Sequence, residues 1–193
     1  MGDGLRWLIV GHPGMGNTER RAGLPIGRSG ADTRDMSPDH IGTLRVAAVA
    51  ETGVVAELLD AFNREYDTPT PGPAVLTGRL SRLLADGTVI AVLAGQPAIA
   101  VALLTLRPNV WYEGPVALLD EMYVVPALRG QGIGSALLDR AEAVARQRGA
   151  EVLEINVDGQ DVEARRFYER HGYTNTEPGQ DEPMLYYYRR LGP

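Results

Sequence analysis

LLDEMYVVPALRGQGIGSALLDRAEAVARQRGA, Leu118 to Ala150, is the stretch whose reading decides the fold. Tyr123, Val124 and Val125 are strand formers, and Pro126 ends the strand because it has no amide to give to a ladder. Gly130, Gly132 and Gly134 follow, a turn in which a ligand can come close to the backbone. Apolar residues then recur at Ile133, Leu137, Leu138, Ala141, Val144 and Ala145, a helical stripe that stops before Gly149. A helix therefore starts inside the glycine turn. Its first amides have no partners within the helix and carry the positive end of the macrodipole, so a pyrophosphate placed there would gain several hydrogen bonds without any lysine.

Spacing separates the kinds of phosphate turn. A Walker loop needs Lys and then Ser or Thr after its last glycine, whereas Ser135 and Ala136 follow Gly134; a dinucleotide fingerprint places its last glycine three residues beyond the second. Neither fits. The segment resembles the acyl-CoA-binding motif of the GNAT N-acetyltransferases: Gln or Arg, two residues, Gly, one residue, then Gly or Ala, carried here by Arg129, Gly132 and Gly134. Downstream, an expected strand at Val152 to Val157 leads to ARRFYERHGY, Ala164 to Tyr173. This resembles the family's second signature of Ala, three residues, Tyr, three residues, Gly and an aromatic, carried by Ala164, Tyr168, Gly172 and Tyr173. Asp161 departs from the pattern, standing where the family usually has Asn. It can still cap the helix, but it lacks the amide donor.

The resemblance implies an acetyltransferase that passes the acetyl group of acetyl-CoA directly to a primary amine, of a small molecule or a peptide N-terminus, with no acyl-enzyme and no metal. It implies a cofactor site made of Arg129, Gly130, Gln131, Gly132, Ile133, Gly134 and Ser135, with the amides of Met122 and Val124 on the thioester carbonyl and pantetheine. Tyr168 falls where the family places the general acid that protonates the departing thiolate; a packed core tyrosine is its plain alternative. Glu121 is the expected general base. Asp120 and Glu121, consecutive on a strand, are expected on opposite faces, so at most one meets the acceptor; otherwise each carboxylate pairs with Arg and water removes the proton. Tyr66 to Pro73, the connection holding Asn109, Trp111, Tyr112 and Glu113, and Tyr186 to Tyr188 are the expected acceptor walls. Trp111 and Tyr112 serve equally well as a cover for the hairpin or as a homodimer contact. A catalytically silent acyl-CoA sensor is the rival reading, and O-acetylation or transfer of a longer acyl group stays open.

Composition sets the remaining bounds. A chain of 193 residues with 44% hydrophobic content can bury one sizeable core. It has no Cys, which excludes disulfides and a cysteine nucleophile, and His12, His40 and His171 lack metal-ligand spacing. A net charge of -6 argues against nucleic acid as a partner and favours cationic acceptors. Every basic residue is Arg, which reads as the coding bias of a GC-rich bacterial genome. No long apolar span suits a membrane, and Leu5 to Val10 is too short for a signal sequence, so the expected location is the cytoplasm.

Along the chain, residues 1–43 are rich in Gly, Pro, Ser, Thr and Asp and are expected to form a disordered extension. GHPGMGNT, Gly11 to Thr18, has a Walker outline with Asn17 at the lysine position, which makes nucleotide binding a further rival. Residues 44–193 are expected to form the acetyltransferase domain. Its pattern predicts a strand at Leu44 to Ala50, a helix at Thr52 to Tyr66, a Pro-rich loop, a second helix over Leu76 to Leu84, and strands at Thr88 to Ala94 and Ala98 to Leu106. Closing strands are expected at Tyr173 to Asn175 and Met184 to Arg190. The fold class is α/β in the mixed α+β sense, a twisted mixed sheet of six to seven strands with helices on both faces, as in the GNAT fold.

Overall fold

The computed structural model describes residues 42–189 and 191. The expected extension, with its GHPGMGNT segment, lies outside them apart from Gly42 and Thr43. The order is β1 (Leu44–Val46), α1 (Thr52–Glu65), α2 (Pro73–Asp86), β2 (Val89–Ala94), β3 (Ala100–Arg107), β4 (Val116–Val124), α3 (Ile133–Gln147), β5 (Val152–Ile155) and α4 (Val162–Arg170). A short 3-10 turn, Val49–Glu51, replaces the end of the long first strand expected from sequence.

The five strands lie in the order β1-β2-β3-β4-β5, antiparallel except for the parallel β4–β5 pair. A parallel pair needs a crossover, and α3 supplies it. β2 is buried at every position, so both faces of the sheet are covered. The ring of Phe62 in α1 packs 5.5 Å from Tyr123, which puts α1 on the Tyr123 face of β4. Leu119 and Met122, on the other face, are fully buried where α3 crosses β2, β3 and β4. Leu137, Leu138, Ala141 and Val144 belong to the same core, as the helical stripe predicts.

The described residues form five strands rather than six or seven. Tyr173 to Asn175 and Met184 onward, expected to close the sheet, make one isolated bridge, Thr176 to Pro183, with the Met184 amide donating to Asn175 O at 2.6 Å. Met184, Leu185 and Tyr186 to Tyr188 are exposed. Strand propensity alone does not make a strand, because its preferences come from packing against a neighbour.

Candidate active site

β4 loses one neighbour half-way along. Its pairing with β5 runs from Val116–Val152 to Leu119–Ile155 and stops, while β4 continues to Val124 against β3 alone. The Val125 amide donates to Ile99 O at 3.0 Å, so Tyr123 and Val125 turn their backbone groups toward β3. In an antiparallel ladder the intervening residues face the other way. Met122 and Val124 therefore present their amides and carbonyls to the opening beyond β5.

A bulge sits where the strands part. Leu104 pairs with Leu119 and Leu103 with Glu121, so Asp120 is the extra residue. Thr105 Oγ1 donates to Asp120 Oδ2, which places Asp120 on the Thr105 face. Leu103 shares that face with Thr105, and Glu121 lies opposite Leu103. Both carboxylates thus share the α1 face, which corrects the expectation of opposite faces; regular alternation fails across an inserted residue.

Their environments differ. Burial raises the Asp120 carboxyl above the usual range, opposed by the Thr105 hydrogen bond. Burial, and then the like charge of Asp120, push Glu121 up to about 8. Its Oε2 is buried with no hydrogen-bond partner among the described residues. Tyr168 is 4% exposed, edge-on to Phe167 at 5.3 Å and to Tyr173 at 5.7 Å. Burial, then Tyr173, Asp161 and Glu121, raise its phenol above the ordinary tyrosine value. Glu121, 47 residues before Tyr168 in sequence, is the smallest of these influences on the phenol.

The glycine turn lies beyond β4. Gly130 and Gly132 are left-handed, at φ +75° and +79°, and a Cβ at either would meet nothing within 4 Å. Glycine is required there by backbone conformation, and the space beside it is open. Gly132 caps α3 without a side chain, and the first amide to find a helix carbonyl is that of Ala136, bonded to Gly132 O at 3.1 Å. The amides of Ile133, Gly134 and Ser135 are thereby left for an anion, with no acidic residue in the first turn of the helix. Gln131 is exposed at the tip. The Arg129 side chain turns away from the tip to Glu65 of α1.

Sequence reasoning missed two contacts here. His171 Nδ1 lies 2.7 Å from Phe167 O, and its Nε2 lies 3.0 Å from Ser135 Oγ. A carbonyl only accepts, so Nδ1 donates to Phe167 O, and Nε2 lies within hydrogen-bond distance of the Ser135 hydroxyl. This ties the end of α4 to the first turn of α3. Asp161 does cap α4 as expected, accepting from the Ala164 amide at 2.9 Å. The Asn109–Glu113 connection is not at this site. It joins β3 to β4 ahead of Val116, and Met122 is six residues further on, about 20 Å along a strand. The expectation that Trp111 and Tyr112 wall the acceptor pocket therefore fails; aromatic content gave no information on which end of the sheet they occupy.

A sequence model of the acetyltransferase (GNAT) family matches residues 55–173. The chain belongs to that family. It has the GNAT fold, and proteins similar to it include a mycothiol acetyltransferase and aminoglycoside N(6')-acetyltransferases. It is 30% identical over 141 residues to an aminoglycoside N(6')-acetyltransferase type 1 of Stenotrophomonas maltophilia, covering 70% of this chain and 88% of that one. It is 40% identical over 72 residues to a mycothiol acetyltransferase of Beutenbergia cavernae, covering 36% of this chain and 24% of that one. The chain spans under two thirds of the length of most curated relatives it matches. A crystal structure of a candidate acetyltransferase from Arthrobacter sp. FB24 superposes with a TM-score of 0.75 at 52% identity, covering 82% of this chain and all of that one. GNAT enzymes use acetyl-CoA, and the open turn, the free helix amides and the split between β4 and β5 fit its pyrophosphate and pantetheine. No described helix is long and apolar enough to cross a membrane.

Proposed function

We propose that the chain is a cytoplasmic N-acetyltransferase that transfers the acetyl group of acetyl-CoA to the primary amine of a small molecule or peptide N-terminus by direct attack. The observation that carries this reading is the split between β4 and β5, which leaves the backbone of Met122 and Val124 open next to the glycine turn and the unshared first amides of α3. Acetyl-CoA supplies an activated thioester. The Ile133, Gly134 and Ser135 amides receive its pyrophosphate, with Gly130, Gln131 and Gly132 shaping the turn. The Met122 and Val124 amides hold pantetheine and polarise the carbonyl where negative charge develops.

Deprotonation is the demanding step. An alkyl amine with pKa near 10.4 is neutral in about one molecule in two thousand at pH 7, equivalent to roughly 4 to 5 kcal/mol, so a base at the amine matters. Glu121, held near 8, is mostly protonated at pH 7 and takes the amine proton only in its ionised fraction, which grows toward pH 8 and is a stronger base than an ordinary carboxylate. Tyr168, raised further by burial, stays protonated across neutral pH and donates its hydroxyl proton to the departing thiolate. The acidic face of β4 suits a cationic acceptor, entering past α1 and the loop of residues 66–72.

Thiol release from acetyl-CoA against aminoglycosides, polyamines, amino acids, arylamines and peptide N-termini tests the proposal, alongside thermal shift with acetyl-CoA and ATP. Acetyl-CoA stabilisation with turnover on one amine class is the expected result. Stabilisation with no turnover on any class supports the silent sensor instead, and no response to acetyl-CoA removes the cofactor assignment.

A further inference from the structure

The arginine that opens the cofactor motif has its charge already matched. Arg129 Nη1 and Nη2 each reach one Glu65 oxygen at 2.7 Å, and Nε donates to Val124 O at 2.8 Å. The guanidinium lies over the Tyr123 ring, 5.6 Å from its centroid, and the side chain is 8% exposed. A fork held on both prongs and packed on an aromatic face is the strong, directional form of an ion pair. Glu65 is the last residue of α1, and the loop after it is tied back to the helix through Thr68 N to Asn63 O at 2.8 Å and Thr70 Oγ1 to Asp60 Oδ1 at 2.7 Å.

We infer that Glu65 is a positioning residue for the cofactor: it holds Arg129 as a strut between α1 and the end of β4, which sets the Gly130–Gly132 turn and leaves the pyrophosphate to the α3 amides. This rests on the acetyl-CoA reading above. Two consequences follow from the geometry. The strut also holds the Val124 carbonyl, and with it the last residue of β4 beside the split. It also makes the acceptor-side loop and the cofactor turn share one ion pair, so strain in either is felt by the other.

Calorimetric CoA binding and acetyl-CoA kinetics on Glu65→Gln, Arg129→Lys and the charge exchange Glu65→Arg with Arg129→Glu test it. Glu65 is partly exposed, so the Gln variant keeps the fold, which circular dichroism checks. The expected result is a rise of about fivefold to tenfold in CoA Kd and acetyl-CoA KM for Glu65→Gln, a kcat within about twofold, a similar loss for Arg129→Lys, and substantial recovery in the exchange. Tighter CoA binding by Glu65→Gln would mean that a released Arg129 reaches the phosphates, and unchanged binding would mean an idle strut; either overturns the inference. Loss of binding in a folded exchange variant overturns it too. A wild-type chain that fails to bind CoA removes the cofactor reading itself and the strut with it.

Discussion

The two halves of β4 are made from the same strand and do different work. From Val116 to Leu119 it is paired on both edges, with Ala117 and Leu119 fully buried. From Asp120 it carries a bulge, two carboxylates and one open edge. The first half spends its hydrogen bonds on the sheet. The second half withholds them, and backbone groups left over by the sheet are what a thioester needs. The comparison teaches that the site is defined less by special side chains than by where a strand stops being shared.

Substitutions can test whether the halves are separable. The largest effect is expected at the far end, in the turn: Gly132→Glu places a side chain at φ +79° and a negative charge at the amides of α3, and CoA affinity should fall by about a thousandfold. Calorimetry that finds affinity retained would move the pyrophosphate elsewhere. In the paired half, Leu119→Ala should cost about 3 kcal/mol in urea unfolding while CoA affinity at low temperature stays unchanged; a matching loss of affinity would join the halves into one unit. Tyr168→Phe should lower kcat by about a hundredfold with acetyl-CoA KM little changed, and a kcat that holds across pH would return Tyr168 to core packing.

Glu121 offers a test that runs in two directions. Its folded value near 8 lies above the ordinary 4.5, so between these limits the folded state holds a proton that the unfolded state has lost. Stability from this group is complete below pH 4.5 and falls as pH rises toward 8. Glu121→Gln should thus gain up to about 4 kcal/mol at pH 8 and almost nothing at pH 4.5, while kcat drops and its inflection near pH 8 disappears. Urea melts that move together at both pH values would contradict the assignment. The smallest change is Asp120→Asn, which removes the like charge and should lower the midpoint of the pH–rate profile by less than about one unit. A midpoint that stays or rises would separate the two carboxylates.

Much of what surrounds β4 was legible in the sequence, because burial leaves a periodic mark. The α3 stripe, the glycine turn and the α4 cap at Asp161 all stand where residue pattern and local chemistry put them. The open half was harder. A bulge leaves no periodic signal: Leu118 to Val125 reads as one continuous strand, and nothing in Asp120–Glu121 reveals that both lie on one face. Glu65 and Arg129 are 64 residues apart, so their pair depends on how α1 docks and not on any spacing. The tyrosine run at 186–188 has strand composition, yet no paired neighbour among the described residues. Composition states what a segment can do, and topology decides whether it has a partner.

The extra residue at position 120 acts on β4 as a phase slip acts on a wave. Before it, Leu119 and Ala117 point one way by simple alternation; after it, the count starts again, and residues of even number fall on the side that odd numbers held. A scan of charged substitutions along β4 should therefore yield a tolerance pattern with period two that inverts at Asp120. Removing that one residue would bring the two wave trains back into step, leaving a smoother strand with Glu121 as its single acid.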